Sequence, residues 1–445
     1  MPDPIISVSG LRGVVGESLT PDVATRYVAA FAQTLPPGPV VVSRDGRTTG
    51  PMLAEFVRGT LLAAGRDVLD AGIAATPTVG ILVQSERAAG GVQISASHNP
   101  PPYNGLKLFS AAGRVLPAAA GQPVLDRYRA PVANWASHDL VGTVRALADT
   151  TAEHLRRVLA TIAVEPIRRR KFRVLLDSNA GAGSILGRQL LADLGCEMTL
   201  LGESPTGRFE HPPEPTADNL AGVRERVVAA GADIGFCQDP DADRLAVIDE
   251  TGRYIGEEYT LALCLDHVLR QRPGPIVTNC ATSRMAEDLG TKYRIPFQRS
   301  AVGEANVVDQ MLAGGAVFGG EGNGGPIDPR VGLVRDSFVG MGLILAAMAS
   351  RGKKVSELAA ELPRYEIRKL AVRLAPERLA GTLDRLQSHF AKARPDRLDG
   401  LRLDWPDRWL IVRGSNTEPI VRIIAEAPTS TDADALIAAA AQVIG

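Results

Sequence analysis

The chain has 445 residues, of which 45% are hydrophobic and 22% charged, and its formal net charge is −1. That length exceeds what a single core supports, and ~150 residues per domain predicts three or four domains. The balanced charge gives no footing for nucleic-acid or membrane attraction. Four cysteines (Cys196, Cys237, Cys264, Cys280) without a C-x-x-C pair argue against a disulfide scaffold or a cysteine zinc site, and favour a reducing compartment.

The N-terminal MPDPIISVSG lacks a basic segment with an apolar stretch behind it, and no run approaches ~18 apolar residues. A cytoplasmic enzyme or binding protein is expected. From there β-branched runs alternate with Ala/Leu-rich amphipathic stretches. PVVVS (39–43) predicts a strand, MLAEFVRGTLLAAG a helix, and DVLDAG a strand and turn. GGVQI then leads into ISASHNPPPY (94–103). Three consecutive prolines extend neither a helix nor a central strand, so Ser97 and His98 are expected on a stiff loop at a strand end.

The rhythm repeats with FRVLLDS (172–178), ILGRQLLADLG, EMTLLG and VRERVVAAG, ending in DIGFCQD. A third round, from about 255 to 365, has helices at EEYTLALCLDHVLR, NVVDQMLAG and GMGLILAAMASRG, and strands at GPIVTN and AVFGG. Such βαβ alternation predicts parallel sheets covered by helices on both faces. The last stretch has strands at KLAVRLAP, RLDGLRLDWPDRWLIVRG and PIVRIIAEAP and two helices, a smaller α+β unit. The boundaries fall near 145, 253 and 366.

QDPDADRL (238–245) carries the densest chemistry. Asp239, Asp241 and Asp243 alternate, so an extended loop turns three carboxylates towards one point. Carboxylates packed so closely repel unless a cation sits among them, and hard oxygen ligands favour Mg²⁺ or Ca²⁺. Asp239, Asp241, Asp243 and Glu250 match positions 1, 3, 5 and 12 of an EF-hand. Arg244, however, stands where that loop needs glycine, and the flanks read as strands. Mg²⁺ is therefore expected.

GEGNGG (320–325) formally matches a dinucleotide fingerprint, but Pro326 follows at once and no helix can open there. What remains is a glycine loop presenting Glu321 and Asn323, a pairing suited to vicinal sugar hydroxyls. RGSNTEPI (413–420), with Arg422 beyond it, offers arginine forks, hydroxyls and backbone N–H groups to an anion. SGLRG adds Arg12 in a glycine-flanked turn. On extended backbone the Ser97 and His98 side chains should diverge, which disfavours a dyad. No G-x-S-x-G elbow and no P-loop is present.

Taken together and in order, SASHNPPPYNGLK, DPDADR, GEGNGG and RGSNTEP resemble the α-D-phosphohexomutase family across the whole chain. The resemblance implies an α/β protein of three similar mixed-sheet domains (1–145, 146–253, 254–365) and a smaller C-terminal α+β domain (366–445) around a central cleft. Ser97 then carries a phosphoryl group, and one Mg²⁺ is held by Ser97, Asp239, Asp241 and Asp243. Ser97, His98, Lys107 and Arg244 form the catalytic set, with Lys107 moving a hydroxyl proton, which requires a depressed pKa. Arg12, Glu321, Asn323, Arg413, Ser415, Asn416, Thr417 and Arg422 bind substrate.

The implied reaction interconverts hexose 6-phosphate and hexose 1-phosphate through a 1,6-bisphosphate. Glucosamine phosphates are the expected pair, and glucose or mannose phosphates the alternative. A Mg²⁺-dependent phosphatase and a non-catalytic sugar-phosphate binder are remoter readings. The partner is a small-molecule hexose or hexosamine phosphate, with no nucleic acid and no membrane, in a monomer or homodimer. Two departures from the family pattern stand out: Asn323 where many members have Ser, and Gly325 where many have His. Glu304, where some relatives carry His, is expected to compensate for the second.

Overall fold

Four sheets follow one another along the chain in the structure, a computed structural model that describes residues 4–7, 10–130, 135–414 and 420–445. The first is seven-stranded. Its centre is parallel, with Val40–Arg44 between Val68–Ile73 and Gly90–Ile94, and the strands predicted at PVVVS and DVLDAG are observed. Gly90–Ile94 then pairs antiparallel with Tyr103–Ser110, which pairs antiparallel with Gly10–Val14.

The second sheet sets Arg173–Asp177 between Glu197–Leu201 and Ile234–Gln238, all parallel, and closes with the antiparallel strand Leu245–Asp249. The third repeats the scheme: Ile276–Asn279 lies between Phe297–Ser300 and Phe318–Glu321, and Gly325–Ile327 folds back antiparallel. The fourth is wholly antiparallel, from Glu366–Arg373 through Ile420–Ala427 and Trp409–Gly414 to Leu401–Asp404 and Arg394–Asp396.

The sheets of the first three units are thus mixed, as the family resemblance implied, and not the purely parallel sheets that βαβ alternation alone predicts. The antiparallel strands matter for function. Among the described residues, each of three motif-bearing loops joins two consecutive antiparallel strands: 95–102, 239–244 and 322–324. A connection of this type carries its side chains at the end of a rigid ladder, where a few residues have fixed geometry.

Apolar packing ties the middle of the molecule together. Phe236, Leu245 and Val247 of the second sheet share one core with the helices Glu257–Gln271 and Ser337–Arg351, through Leu261, Leu265, Phe338 and Ile344. Burying Phe and Leu side chains of this size contributes ~2 kcal/mol each, so these two units are held as one body. The fourth sheet keeps its own core around Leu386, Leu403, Leu410 and Ile423.

Candidate active site

The serine loop leaves Ile94 with Ser95 and Ala96 buried and puts Ser97 at φ +51°, a left-handed conformation that a side chain adopts only when its surroundings impose it. They do. The Arg47 guanidinium donates from Nη2 to the carbonyls of Ser97 and Asn99 (both 2.6 Å) and from Nη1 to those of Pro100 and Tyr103 (both 3.0 Å). Arg47 is itself 2% exposed and paired with buried Asp45 at 3.2 Å. Asp45 also accepts from Ser95 Oγ (2.6 Å), and Ser95 Oγ accepts from the Ser97 N–H (2.9 Å). One arginine therefore holds the loop backbone that the prolines alone were expected to brace.

The Ser97 hydroxyl points at the acidic loop, donating to Asp239 Oδ2 at 2.7 Å across 142 residues of sequence. Its oxygen also lies 3.3 Å from His98 Nδ1. The expectation that these two side chains diverge assumed extended backbone, and the left-handed turn at Ser97 overturns it. Burial, with Arg244 and Arg12 nearby, lowers the His98 pKa to about 2, so its imidazole is neutral.

Asp239, Asp241 and Asp243 are wholly buried, and their ligand atoms lie within 4.8 Å of one another. Desolvation and the other two carboxylates push the Asp239 carboxyl well above its ordinary range. Desolvation pushes Asp241 and Asp243 the same way, but nearby cations outweigh it and both are lowered. Lys107 Nζ reaches Asp241 at 2.6 Å and Asp243 at 2.8 Å, and Thr76 Oγ1 donates to Asp241 at 2.6 Å.

Desolvation would lower the Lys107 pKa, but those two aspartates more than offset it and the ammonium is held charged. This corrects the depressed pKa expected of Lys107 as a proton carrier: its charge balances the triad instead. Asp241 Oδ1 and Asp243 Oδ1 have no hydrogen-bond partner. Buried carboxylate oxygens in that state suit a small hard cation, so the triad fits the metal site read from the sequence.

Arg244 donates its N–H to Asp239 Oδ1 (3.1 Å), and its side chain approaches Asp243 (3.9 Å). Arg12 reaches the serine loop through Asn99 Oδ1 (3.3 Å). Burial pulls its guanidinium pKa down, though Asp241 opposes the shift. Glu321 is 4% exposed, and its Oε1 accepts from Asn279 Nδ2 (2.7 Å) and the Gly303 N–H (3.0 Å). Its Oε2 accepts from Arg335 Nη1 (2.8 Å). Asn323, on the same loop, keeps its Oδ1 without a partner.

Arg413 and Arg422 face each other across two strands at the base of the last loop, and Arg413 is engaged by Asp399 (3.0 Å). Ser415, Asn416 and Thr417 lie outside the described residues. Glu304 opens the helix Glu304–Gly314 and turns its carboxylate to Arg335, accepting from the Arg335 N–H at 2.6 Å. The sequence reading missed Arg47, Thr76 and Arg335. Only Arg47 left a trace, in the Asp45-x-Arg47 spacing just past a predicted strand.

A serine hydroxyl fixed against three carboxylates, with a lysine and arginines around them, is the apparatus of a phosphoryl-transfer enzyme, where positioned charge does most of the work. The chain matches four domain descriptions of one family, phosphoglucomutase/phosphomannomutase: alpha/beta/alpha domain I over residues 4–132, domain II over 152–252, domain III over 257–365 and the C-terminal domain over 370–443.

It is 37% identical over 432 residues, 95% of this chain and 94% of the other, to a phosphoglucomutase/phosphomannomutase of Thermococcus kodakarensis. It is 33% identical, over 98% of this chain and 97% of the other, to a protein of the same organism named "Probable phosphoglucosamine mutase". A crystal structure of a phosphoglucomutase/phosphomannomutase family protein from Burkholderia thailandensis superposes with a TM-score of 0.85 at 27% identity, covering 99% of this chain and 97% of that one. The chain belongs to the phosphoglucomutase/phosphomannomutase family and is a phosphohexomutase. Among the described residues no helix is long and apolar enough to cross a membrane.

Proposed function

We propose that this phosphohexomutase interconverts glucosamine 6-phosphate and glucosamine 1-phosphate in the cytoplasm, with Ser97 as the carrier of the phosphoryl group. The supporting observation is the Ser97 hydroxyl, held by a strained backbone 2.7 Å from Asp239. In the forward direction the phosphoryl group of phospho-Ser97 passes to the free C1 hydroxyl of the 6-phosphate, giving a 1,6-bisphosphate. The bisphosphate turns end for end, and its 6-phosphoryl group returns to Ser97.

Asp239, Asp241, Asp243 and the Ser97 oxygen would hold one Mg²⁺, which when bound neutralises charge on the phosphoryl oxygens. Arg244 and Arg12 present cationic forks to the reacting end, and Lys107 keeps Asp241 and Asp243 ionised. Glu321 and the unpartnered Asn323 carbonyl accept from sugar hydroxyls in either orientation. Arg413 and Arg422, with Ser415, Asn416 and Thr417, hold the phosphate that is not reacting.

The 37% identical relative favours a second reading, in which glucose or mannose phosphates are the substrates. One assay separates these readings. Each hexosamine or hexose 1- and 6-phosphate is supplied with Mg²⁺ while the 1,6-bisphosphate is traced. Interconversion fastest with glucosamine phosphates supports the proposal, and faster turnover of glucose or mannose phosphates replaces the substrate. Release of free phosphate indicates a phosphatase, and no reaction a binder.

A further inference from the structure

Residue 325 has no side chain, and the reason lies ten residues downstream. A methyl group built on Gly325 would overlap the side chain of Arg335, with Cγ at 2.8 Å and Cβ at 3.0 Å. Arg335 is 7% exposed and lies in the stretch LVRDSF, outside every motif read from the sequence. Its stem runs over the bare backbone of Gly325, and its guanidinium divides between two loops. Nη2 donates to Asp243 Oδ2 at 2.7 Å, and Nη1 donates to Glu321 Oε2 at 2.8 Å.

The backbone beneath it is fixed on both sides. The Arg335 N–H donates to Glu304, and the Asp336 N–H donates to the Pro326 carbonyl at 2.8 Å. The Asp336 carboxylate caps the helix Ser337–Arg351 and meets His154 at 2.7 Å, and the other nitrogen of His154 meets Thr78 at 2.9 Å. Arg335 thus stands on a segment tied to the first, second and third units.

We propose that Arg335 is a positioning residue that locks the metal loop to the sugar loop by bridging Asp243 and Glu321, and that glycine at 325 exists to make room for it. Its label as a sugar lock rests on the reading of Glu321 as a hydroxyl acceptor given above. A planar fork presents donors on two sides to carboxylates of two different loops, whereas a lysine ammonium is one compact charge at a single point. Two consequences follow. No side chain at position 325 serves this chain as an acid or base. And Glu304, whose carboxylate is spent on Arg335, acts through that arginine rather than in place of a missing histidine.

The test is a double-mutant cycle in the full-length protein, with Gly325→Ala, Arg335→Ala and both together, plus Arg335→Lys. Gly325→Ala should lower the melting temperature by ~3 °C when Arg335 is present and by clearly less in the Arg335→Ala background, where only the Cβ contact at 3.0 Å remains. Arg335→Ala should weaken calorimetric binding of glucosamine 6-phosphate to the Mg²⁺-free protein ~10-fold and cut kcat ~100-fold. Adding Glu321→Gln to it should cost little more, and Arg335→Lys should restore the melting temperature without restoring binding.

A Gly325→Ala penalty that is absent, or equal in both backgrounds, overturns the shared-space claim. Unchanged ligand affinity in Arg335→Ala, or full rescue by Arg335→Lys, overturns the lock. A wild-type protein that turns over no hexose phosphate sinks the mutase reading while the thermal cycle still decides the packing claim. Normal wild-type turnover with additive substitutions sinks this inference alone.

Discussion

The serine loop and the glycine loop are built to one plan and held by different forces. Each joins two antiparallel strands, and each is pinned by a buried arginine from elsewhere in the chain. Arg47 gives four donated hydrogen bonds to neutral carbonyls and one charged contact to Asp45. Arg335 gives its charged contacts to Asp243, Glu321 and, at 3.7 Å, Glu304. Neutral acceptors keep their strength whatever charge passes nearby, which suits a nucleophile that would alternate between hydroxyl and phosphate. Carboxylate acceptors respond to charge, which suits a loop that would release and regrip a sugar. Placement by backbone and placement by charge should fail differently when broken.

The largest effect should come from the residue both loops serve. Ser97→Ala should remove at least ~10³-fold of turnover while leaving the melting temperature close to that of the unaltered protein, because the strained backbone is held by Arg47 and not by the hydroxyl. Parallel activity and thermal-unfolding measurements check this. Near-normal turnover would remove the nucleophile from the scheme.

Next comes the brace. Arg47→Ala leaves the carbonyls of Ser97, Asn99, Pro100 and Tyr103 short of a donor and strands Asp45 as a buried unpaired carboxyl. Breaking such a buried pair costs about 4 kcal/mol, and a displaced nucleophile costs ~100-fold in kcat. Denaturant unfolding and kcat should fall together here, whereas Ser97→Ala moves only kcat. Arg47→Lys should not restore kcat, since one ammonium cannot serve four carbonyls.

A smaller effect is expected at the rim. Arg413 pairs with Asp399, whose other oxygen accepts from the Val302 N–H at 3.0 Å, so this carboxylate connects the fourth unit to the third. Asp399→Asn should raise KM for the sugar phosphate a few-fold with kcat nearly unchanged, because the contact holds Arg413 in place and is only partly open to solvent. A drop in kcat without a change in KM would place Arg413 outside substrate binding.

What the sequence made legible follows the same division. SASHNPPPY, DPDADR and GEGNGG each declare a loop, because glycine, proline and alternating carboxylates act within a few residues of themselves. The loops' supports do not. Arg47 acts 50 residues from Ser97, and Arg335 acts 92 residues from Asp243, and nothing local marks an arginine that will be buried by partners so distant. The βαβ rhythm likewise showed helices and strands but hid the antiparallel returns: LAVID reads as a strand with nothing in it to show its direction, and GPI is too short to carry a period of its own. Lys107 was found as a residue, but the sequence could not show two aspartates within 3 Å of its nitrogen.

Glu304 gives the finest test of the contrast. Desolvation pushes its carboxyl up to about 7 from the usual 4.5, although Arg335 pulls the other way. Since the folded-state value lies above the unfolded one, the folded chain binds this proton more tightly between about pH 4.5 and 7. Its contribution to stability is therefore greatest at the acidic end of that window and falls as pH rises through it. Glu304→Gln keeps an oxygen for the Arg335 N–H and removes the titration, so it should flatten the slope of unfolding free energy by up to about 1 kcal/mol per pH unit there. Turnover should fall less than ~3-fold at pH 6, where a neutral group already stands beside Arg335, and further at pH 8, where the charge is lost. The serine loop should share this pH dependence in part, because burial pushes the Asp45 carboxyl beside Arg47 up to about 6, so Arg47→Lys should change stability by different amounts at pH 5 and pH 7.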